Sequence, residues 1–281
     1  MALVTFSPNT VIKSADVNAN FSGLANGSLI AAGATLTSIN LSAPRSWDGW
    51  QDANETWTYS SVDGQTGVVT VPSDATTKYT VGMRIKLTQS STVKYAIITA
   101  VTSTSLTMFF DTDAVLANSA ISANYYSAMK TPFGFPMDPE KWKVEYTDTS
   151  DRTQTSPTSG TAYNLNAASL AVPIGEWLMS YQVYYSASLN GTPTNESLQY
   201  GLGTTSSSWD QDMTTYRGMV PGSNTTWEEQ TRSTATKYIT LAAKTTYYLV
   251  SSITFASTTG FALRNFGSRM TTKITARLAY L

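Results

Sequence analysis

Beyond about residue 137 the apolar positions recur at every second residue, the period of a strand with one buried face. Trp177, Met179, Tyr181, Val183 and Tyr185 share one face of a long predicted strand that follows the turn Val172-Pro-Ile-Gly175. Two more strands are read from Tyr238 to Leu241 and from Tyr247 to Phe255, joined by a short connection. A last strand carries Ile274, Ala276, Leu278 and Tyr280 on one side. Strand-like segments packed this closely fit an antiparallel sandwich or jelly roll.

The region from Trp57 to Tyr126 shows shorter runs separated by turn residues at Asp63-Gly64 and Pro72-Ser-Asp74. Met83, Ile85 and Leu87 alternate with Arg84 and Lys86, and Tyr95, Ile97, Thr99 and Val101 alternate with their neighbours, as in half-buried strands. A small barrel or curled sheet is predicted there. Near the start, Val17, Phe21 and Leu24 follow helical spacing, with Val11 and Ile12 leading in, while Gly23 and Gly27 weaken the helix. Such a narrow stripe needs a partner: a copy of itself, another protein, or its own β region. Residues 29–44 are small and polar, the composition of a linker or extended arm. Two prolines and a glycine around two phenylalanines, Thr131-Pro-Phe-Gly-Phe-Pro136, mark a second boundary. The expected organisation is therefore an N-terminal segment and linker over 1–50, a small β domain over 51–136, and a C-terminal β domain over 137–281.

Composition narrows the chemistry. Only 13% of residues are charged and 41% are hydrophobic, so the chain has enough apolar surface to fold and a polar surface made mostly of hydroxyls and amides. A net charge of −1 argues against general nucleic-acid binding, which needs a surplus of Lys and Arg. The chain has no cysteine, hence no disulfide, thiolate metal site or cysteine nucleophile, and no histidine, the commonest general base and zinc ligand. No cofactor or metal is expected. The opening residues lack a signal-peptide pattern and no window reaches the length of a membrane span, so synthesis in the cytoplasm and no membrane insertion are expected. Seven Asn-x-Ser/Thr triplets follow from the abundance of those residues.

Three carboxylate groupings, Asp111/Asp113, Asp148/Asp151 and Asp210/Asp212, have the residue types of a glycosidase pair or a calcium loop. In loops this rich in Ser, Thr and Gly they are more simply turn initiators. Ser91 and Lys94 form an isolated Ser-x-x-Lys without companion motifs, read as coincidence. Charge order is more informative: residues 138–229 hold eleven acidic and four basic residues, whereas seven basic and no acidic residues follow Glu229. Interleaved strands of opposite sign would neutralise each other; the alternative is a basic face of Arg232, Lys237, Arg264, Arg269, Lys273 and Arg277 for an anionic polymer. Trp209, Asp210, Asp212, Tyr216 and Trp227 place rings among carboxylates and amides, the combination that sugar recognition uses, and are the candidate glycan-binding residues. The same rings can instead pin loops or fill an interface between subunits.

Three features resemble tailed-bacteriophage fibre and receptor-binding proteins. They are the opening from Phe6 to Phe21 (FSPNTVIKSADVNANF), the proline-flanked segment 131–136, and a trio of C-terminal strand motifs. The trio is Gly175 to Trp177, the Leu241 to Leu249 hairpin motif, and Ile274 to Ala276. The resemblance implies a mainly β protein with a short helical or extended N-terminal anchor, a small barrel-like middle domain and an antiparallel jelly-roll knob of tumour-necrosis-factor-like shape. It implies a homotrimer in the virion, docked to tail, collar or capsid proteins through Val11, Ile12, Val17, Phe21 and Leu24. A host-surface glycan or other anionic polymer would be the knob's ligand. It brings no catalytic residues. The chain has no coiled-coil or β-helical shaft, so a compact appendage suits it better than a long fibre. A purely architectural collar, neck or head-decoration protein is the second reading, and an enzyme that cleaves surface polysaccharide the third.

Overall fold

A computed structural model describes residues 48–190, 197–218, 226–256 and 259–281. The described residues belong to one compact unit. The expected N-terminal helix, its docking residues Val11, Ile12, Val17, Phe21 and Leu24, and the linker lie outside the described residues.

The described chain is mainly β, with single 3-10 turns as its helical pieces. Its first seven strands are β1 (Gln51–Asp52), β2 (Thr58–Asp63), β3 (Thr66–Thr70), β4 (Arg84–Gln89), β5 (Thr92–Val101), β6 (Ser105–Phe110) and β7 (Ile121–Ser127). They make one antiparallel sheet in the order β1-β7-β4-β5-β6-β3-β2. The consecutive strands β1 and β2 thus sit at opposite edges, and the sheet is a half-barrel. Ser90 and Ser91 both have positive φ, at 52° and 61°, and turn the β4–β5 hairpin. Two successive left-handed residues match the twist of such a tight turn. Ser91 is therefore a turn residue, and Lys94 Nζ is held by Gln89 Oε1 at 2.9 Å.

The half-barrel departs from simple alternation in its centre. Ala96, Ile97, Ile98 and Thr99 of β5 are all buried, as are Met108, Phe109 and Phe110 of β6. Ala96, Ile98, Met108 and Phe110 face a core of their own with Trp57, Tyr79 and Leu87, whereas Ile97 and Phe109 face the opposite way, into the core of the C-terminal sheets. Half-buried strands were expected; the second layer covers their other side. Arg84 is corrected in the same way. Its alternation with Met83 and Ile85 predicts exposure, yet it is 1% exposed. Its guanidinium donates to the carbonyls of Gly82, Lys130 and Tyr280 and lies over the Phe135 ring. A buried cation is tolerable when carbonyl dipoles solvate it this fully.

The remaining strands are β8 (Lys143–Asp148), β9 (Asp151–Thr155), β10 (Ser169–Val172), β11 (Gly175–Asn190), β12 (Ser197–Gly203), β13 (Thr214–Gly218), β14 (Thr226–Leu241), β15 (Thr245–Thr254), β16 (Thr259–Phe266) and β17 (Thr272–Leu278). They form a four-stranded sheet, β10-β15-β12-β13, and a six-stranded sheet, β8-β17-β11-β16-β9, in which β14 pairs the other edge of β11. The long strand β11 organises this part. It pairs β14 over sixteen residues on one side and β17 then β16 on the other. Trp177, Met179, Tyr181, Val183 and Tyr185 are all buried, as the period-2 pattern predicts. They pack with Leu198, Tyr200 and Leu202 of β12 and with Leu249 and Ile253 of β15, so the two sheets share one core.

β14 and β15 are consecutive but do not pair. The turn at residues 242–244 carries the chain from the six-stranded to the four-stranded sheet. The hairpin expected there is therefore a sheet-to-sheet crossing. Each strand buries its inner face against the other sheet, which a flat hairpin could not do. The segment 131–136 is anchored at both ends of its aromatic pair: the Trp50 indole donates to the Phe133 carbonyl at 2.9 Å, and Phe135 stacks on Trp142 at 5.1 Å. Phe109 meets Trp177 edge-on at 4.9 Å, continuing an aromatic seam from the half-barrel into the sandwich.

Candidate functional site

The carboxylate groupings resolve into turns and ion pairs. Asp111, Asp148 and Asp210 each accept the backbone N–H two residues ahead, at 3.0, 3.0 and 2.9 Å. That is the Asx turn, in which a short side chain replaces a missing backbone partner. Burial pushes the Asp111 carboxyl up. Asp151 accepts the Ser268 N–H at 3.0 Å, and Arg152 grips Asp148.

Asp210 and Asp212 are brought together by the 3-10 turn Gln211–Met213, and the ammonium of Lys237 joins them at 2.7 and 2.9 Å. The hydrogen bond from Lys237 holds the Asp210 carboxyl below the usual range, and the two carboxylates push Lys237 up. A carboxylate pair neutralised by its own lysine is a clamp between β14 and the turn before β13. It ties the turn to the strand.

Of the five candidate glycan residues, Trp209, Asp210 and Asp212 lie together, while Tyr216 and Trp227 sit on separate strands. Trp209 is half-buried beside the clamp, while Tyr216 is 67% exposed on β13, opposite Gln199 of β12. The backbone of Trp227 lies on β14 opposite Leu189, and its side chain is outside the described set. Ten residues separate it from Lys237 along that strand, roughly 33 Å at the rise of an extended chain.

The basic residues are better gathered. In β11 the even-numbered side chains face outward, and pairing puts Arg232 beside Tyr184, Lys273 beside Gln182 and Arg277 beside Leu178. Arg264 is paired with Ser186 on the same sheet. Arg269 lies over the Phe266 and Tyr184 rings at 4.6 and 5.7 Å. Lys237 belongs to the opposite face of β14 and is consumed by the clamp. Acids from the earlier part of the chain meet this basic set because β8 pairs β17. Glu140 accepts from Lys143 at 2.7 Å and from Arg277 at 2.7 Å. Those two cations, Lys143 first, hold its carboxyl down to about 2. The charge order along the sequence thus becomes neighbouring opposite charges within one sheet. Sequence reading missed Glu140, Lys143, Glu145 and Gln182; their outward parity was legible, but not which strands would lie beside them.

Among the described residues no three His, Cys, Asp or Glu side chains gather as metal ligands, and no helix is long and apolar enough to cross a membrane.

No protein-family model matches the chain, and no curated protein matches it in sequence. Among solved structures, the chain is similar to that of the infectious bursal disease virus Gx strain, with 11% identity over 80% of this chain and a TM-score of 0.26. This chain spans 59% of that one. The infectious bursal disease virus VP2 subviral particle aligns with 9% identity over 80% of this chain and 78% of that chain, TM-score 0.26. An isomalto-dextranase of Arthrobacter globiformis T6, complexed with panose, aligns with 13% identity over 82% of this chain and 35% of that chain, TM-score 0.22. Superpositions this slight connect the chain to no family.

Proposed function

We propose that the protein is a non-enzymatic structural component of a bacteriophage virion, a homotrimeric appendage attached by its N-terminal segment, whose C-terminal jelly roll contacts the host surface. The observation that carries the C-terminal half of this reading is the path of the chain between the two facing sheets. From β9 onward it crosses to the other sheet at β10, β11, β12, β14, β15 and β16. Repeated crossing is how a jelly roll winds, and it locks both sheets around one core. The fate of the carboxylates supports a binding or structural role over hydrolysis, since the groupings read as acid pairs serve turns and the Lys237 clamp.

The test is the mass of the purified chain by light scattering, together with its adsorption to host cells. A particle of three times 30.4 kDa that adsorbs supports the proposal. A monomer, or release of reducing sugar from host polysaccharide, overturns it. A trimer that leaves cells bare would make the purely architectural collar, neck or decoration role the better reading.

A further inference from the structure

The outer face of the six-stranded sheet contains a groove of about 310 Å³ whose origin lies in side-chain length. Cross-strand pairing sets three rows across β14, β11, β17 and β8. The first is Tyr238, Leu178, Arg277 and Lys143; the second is Thr236, Ser180, Thr275 and Glu145; the third is Thr234, Gln182, Lys273 and Thr147. Short hydroxyl side chains in the middle row lie between longer ones, so the sheet surface dips there.

The groove has two chemically different parts. At one end the polar groups are spent on each other: Lys143 bridges Glu140 and Glu145 at 2.7 and 3.3 Å, Arg277 is turned onto Glu140, and Thr275 donates to Glu145 at 3.1 Å. Toward the other end they are not. Among the described residues Lys273 Nζ has only a long ion pair with Glu145, at 3.7 Å and beyond hydrogen-bond reach. Gln182 spends an amide N–H on the Thr271 carbonyl at 2.9 Å, and its side-chain oxygen has no partner among the described residues. The hydroxyls of Ser180, Thr234 and Thr236 engage no partner among the described residues. Three cations face two carboxylates, so one positive charge is left over, centred on Lys273.

We propose that this groove binds one carboxylate-bearing sugar unit of a polysaccharide. The carboxylate pairs with Lys273, while ring hydroxyls exchange hydrogen bonds with Gln182, Ser180, Thr234 and Thr236. A single spare charge beside Glu145 matches a monoanion and leaves one charge of a doubly charged phosphate uncompensated next to a carboxylate. A floor of hydroxyls and an amide suits a polyhydroxylated ligand better than an apolar peptide. Tyr238, 73% exposed and two residues from Thr236 on the same face, offers a ring for the next sugar to stack on, roughly 7 Å away. The inference rests on the host-contacting half of the proposed function and gives it a site different from the Trp209 loop.

The experiment is calorimetric titration of the full chain with hexamers of galacturonate and of glucuronate, their carboxyl-reduced neutral counterparts, and inorganic phosphate. At least one uronate hexamer binds in the millimolar range, and its neutral counterpart and phosphate bind about tenfold more weakly or not at all. Lys273→Met weakens uronate binding about tenfold, and Tyr238→Ala about threefold, with unchanged melting temperature because both side chains are outward. Failure of both hexamers to bind at about 10 mM, equal binding of acidic and neutral hexamers, or wild-type affinity in Lys273→Met overturns the proposal. Cell adsorption separates the two claims. Adsorption that survives both substitutions while uronate binding is absent removes the groove and leaves host contact standing; uronate binding without adsorption removes host contact and leaves the groove.

Discussion

The two faces of β11 show how differently one strand can be used. Its odd-numbered residues, from Trp177 to Tyr185, are buried against the facing sheet, and Trp177 also touches Phe109 of the half-barrel. Its even-numbered residues Leu178, Ser180, Gln182 and Tyr184 are half-exposed and floor or flank the polar groove. The inner face carries stability, because large rings there lose water and meet neighbours on every side. The outer face carries little, because its polar groups exchange water for partners of nearly equal value. A region that contributes little to folding is free to hold unspent hydrogen-bonding groups.

The comparison is tested most severely at Trp177, fully buried with its indole N–H donating to the Pro173 carbonyl at 2.9 Å. Trp177→Ala should cost about 3–5 kcal/mol, read as a lower urea midpoint, and a loss under about 1 kcal/mol would contradict the role given to the inner face. Arg84→Met comes next. It strands three carbonyls that the guanidinium satisfies, and should cost about 2–3 kcal/mol in the same assay. An unchanged midpoint would mean that the junction between half-barrel and sandwich does not depend on it.

Smaller effects belong to the surface. Lys237→Met opens the clamp on Asp210 and Asp212, whose side chains are partly exposed, and should cost about 0.5–1 kcal/mol. For Glu140 the folded carboxyl titrates at about 2, against an ordinary value of 4.5. A depressed folded pKa means stability present above pH 4.5 and lost as pH falls toward 2. The stability difference between wild type and Glu140→Gln should therefore shrink across that window in acid-melting curves; a constant gap would show that the ion pairs contribute nothing. Smallest of all, Ser180→Ala on the groove floor should shift stability by less than about 0.5 kcal/mol. A large loss there would erase the distinction between the two faces.

Much of the sandwich was legible because a period of two is a local property. The buried face of β11 and the Ile274, Ala276 and Leu278 face of β17 follow from it directly. Asx turns were legible for the same reason, since Asp111, Asp148 and Asp210 act within two residues of themselves. Periodicity failed where a second layer intervened. Arg84 looks exposed along its own strand but is buried with its guanidinium on the carbonyls of Lys130 and Tyr280 from distant parts of the chain, and β5 buries Ala96 and Ile98 as well as the Ile97 face that alternation marks. The separation of Tyr216 on β13 from Trp227 on β14 was not legible either, because closeness in sequence says nothing about position along the sixteen-residue β14.

What the sequence alone determined is the class of the molecule: a mainly β chain without cysteine or histidine, with strand faces marked by alternation. Those are matters of residue type and neighbour spacing. Only tertiary structure decided that β14 and β15 part to different sheets, that the acids of β8 meet the bases of β17, and that Ser180, Thr236 and Lys273 border one groove. Each depends on which strands become neighbours, and the competition among pairings is settled by burial of whole faces rather than by any short stretch of chain.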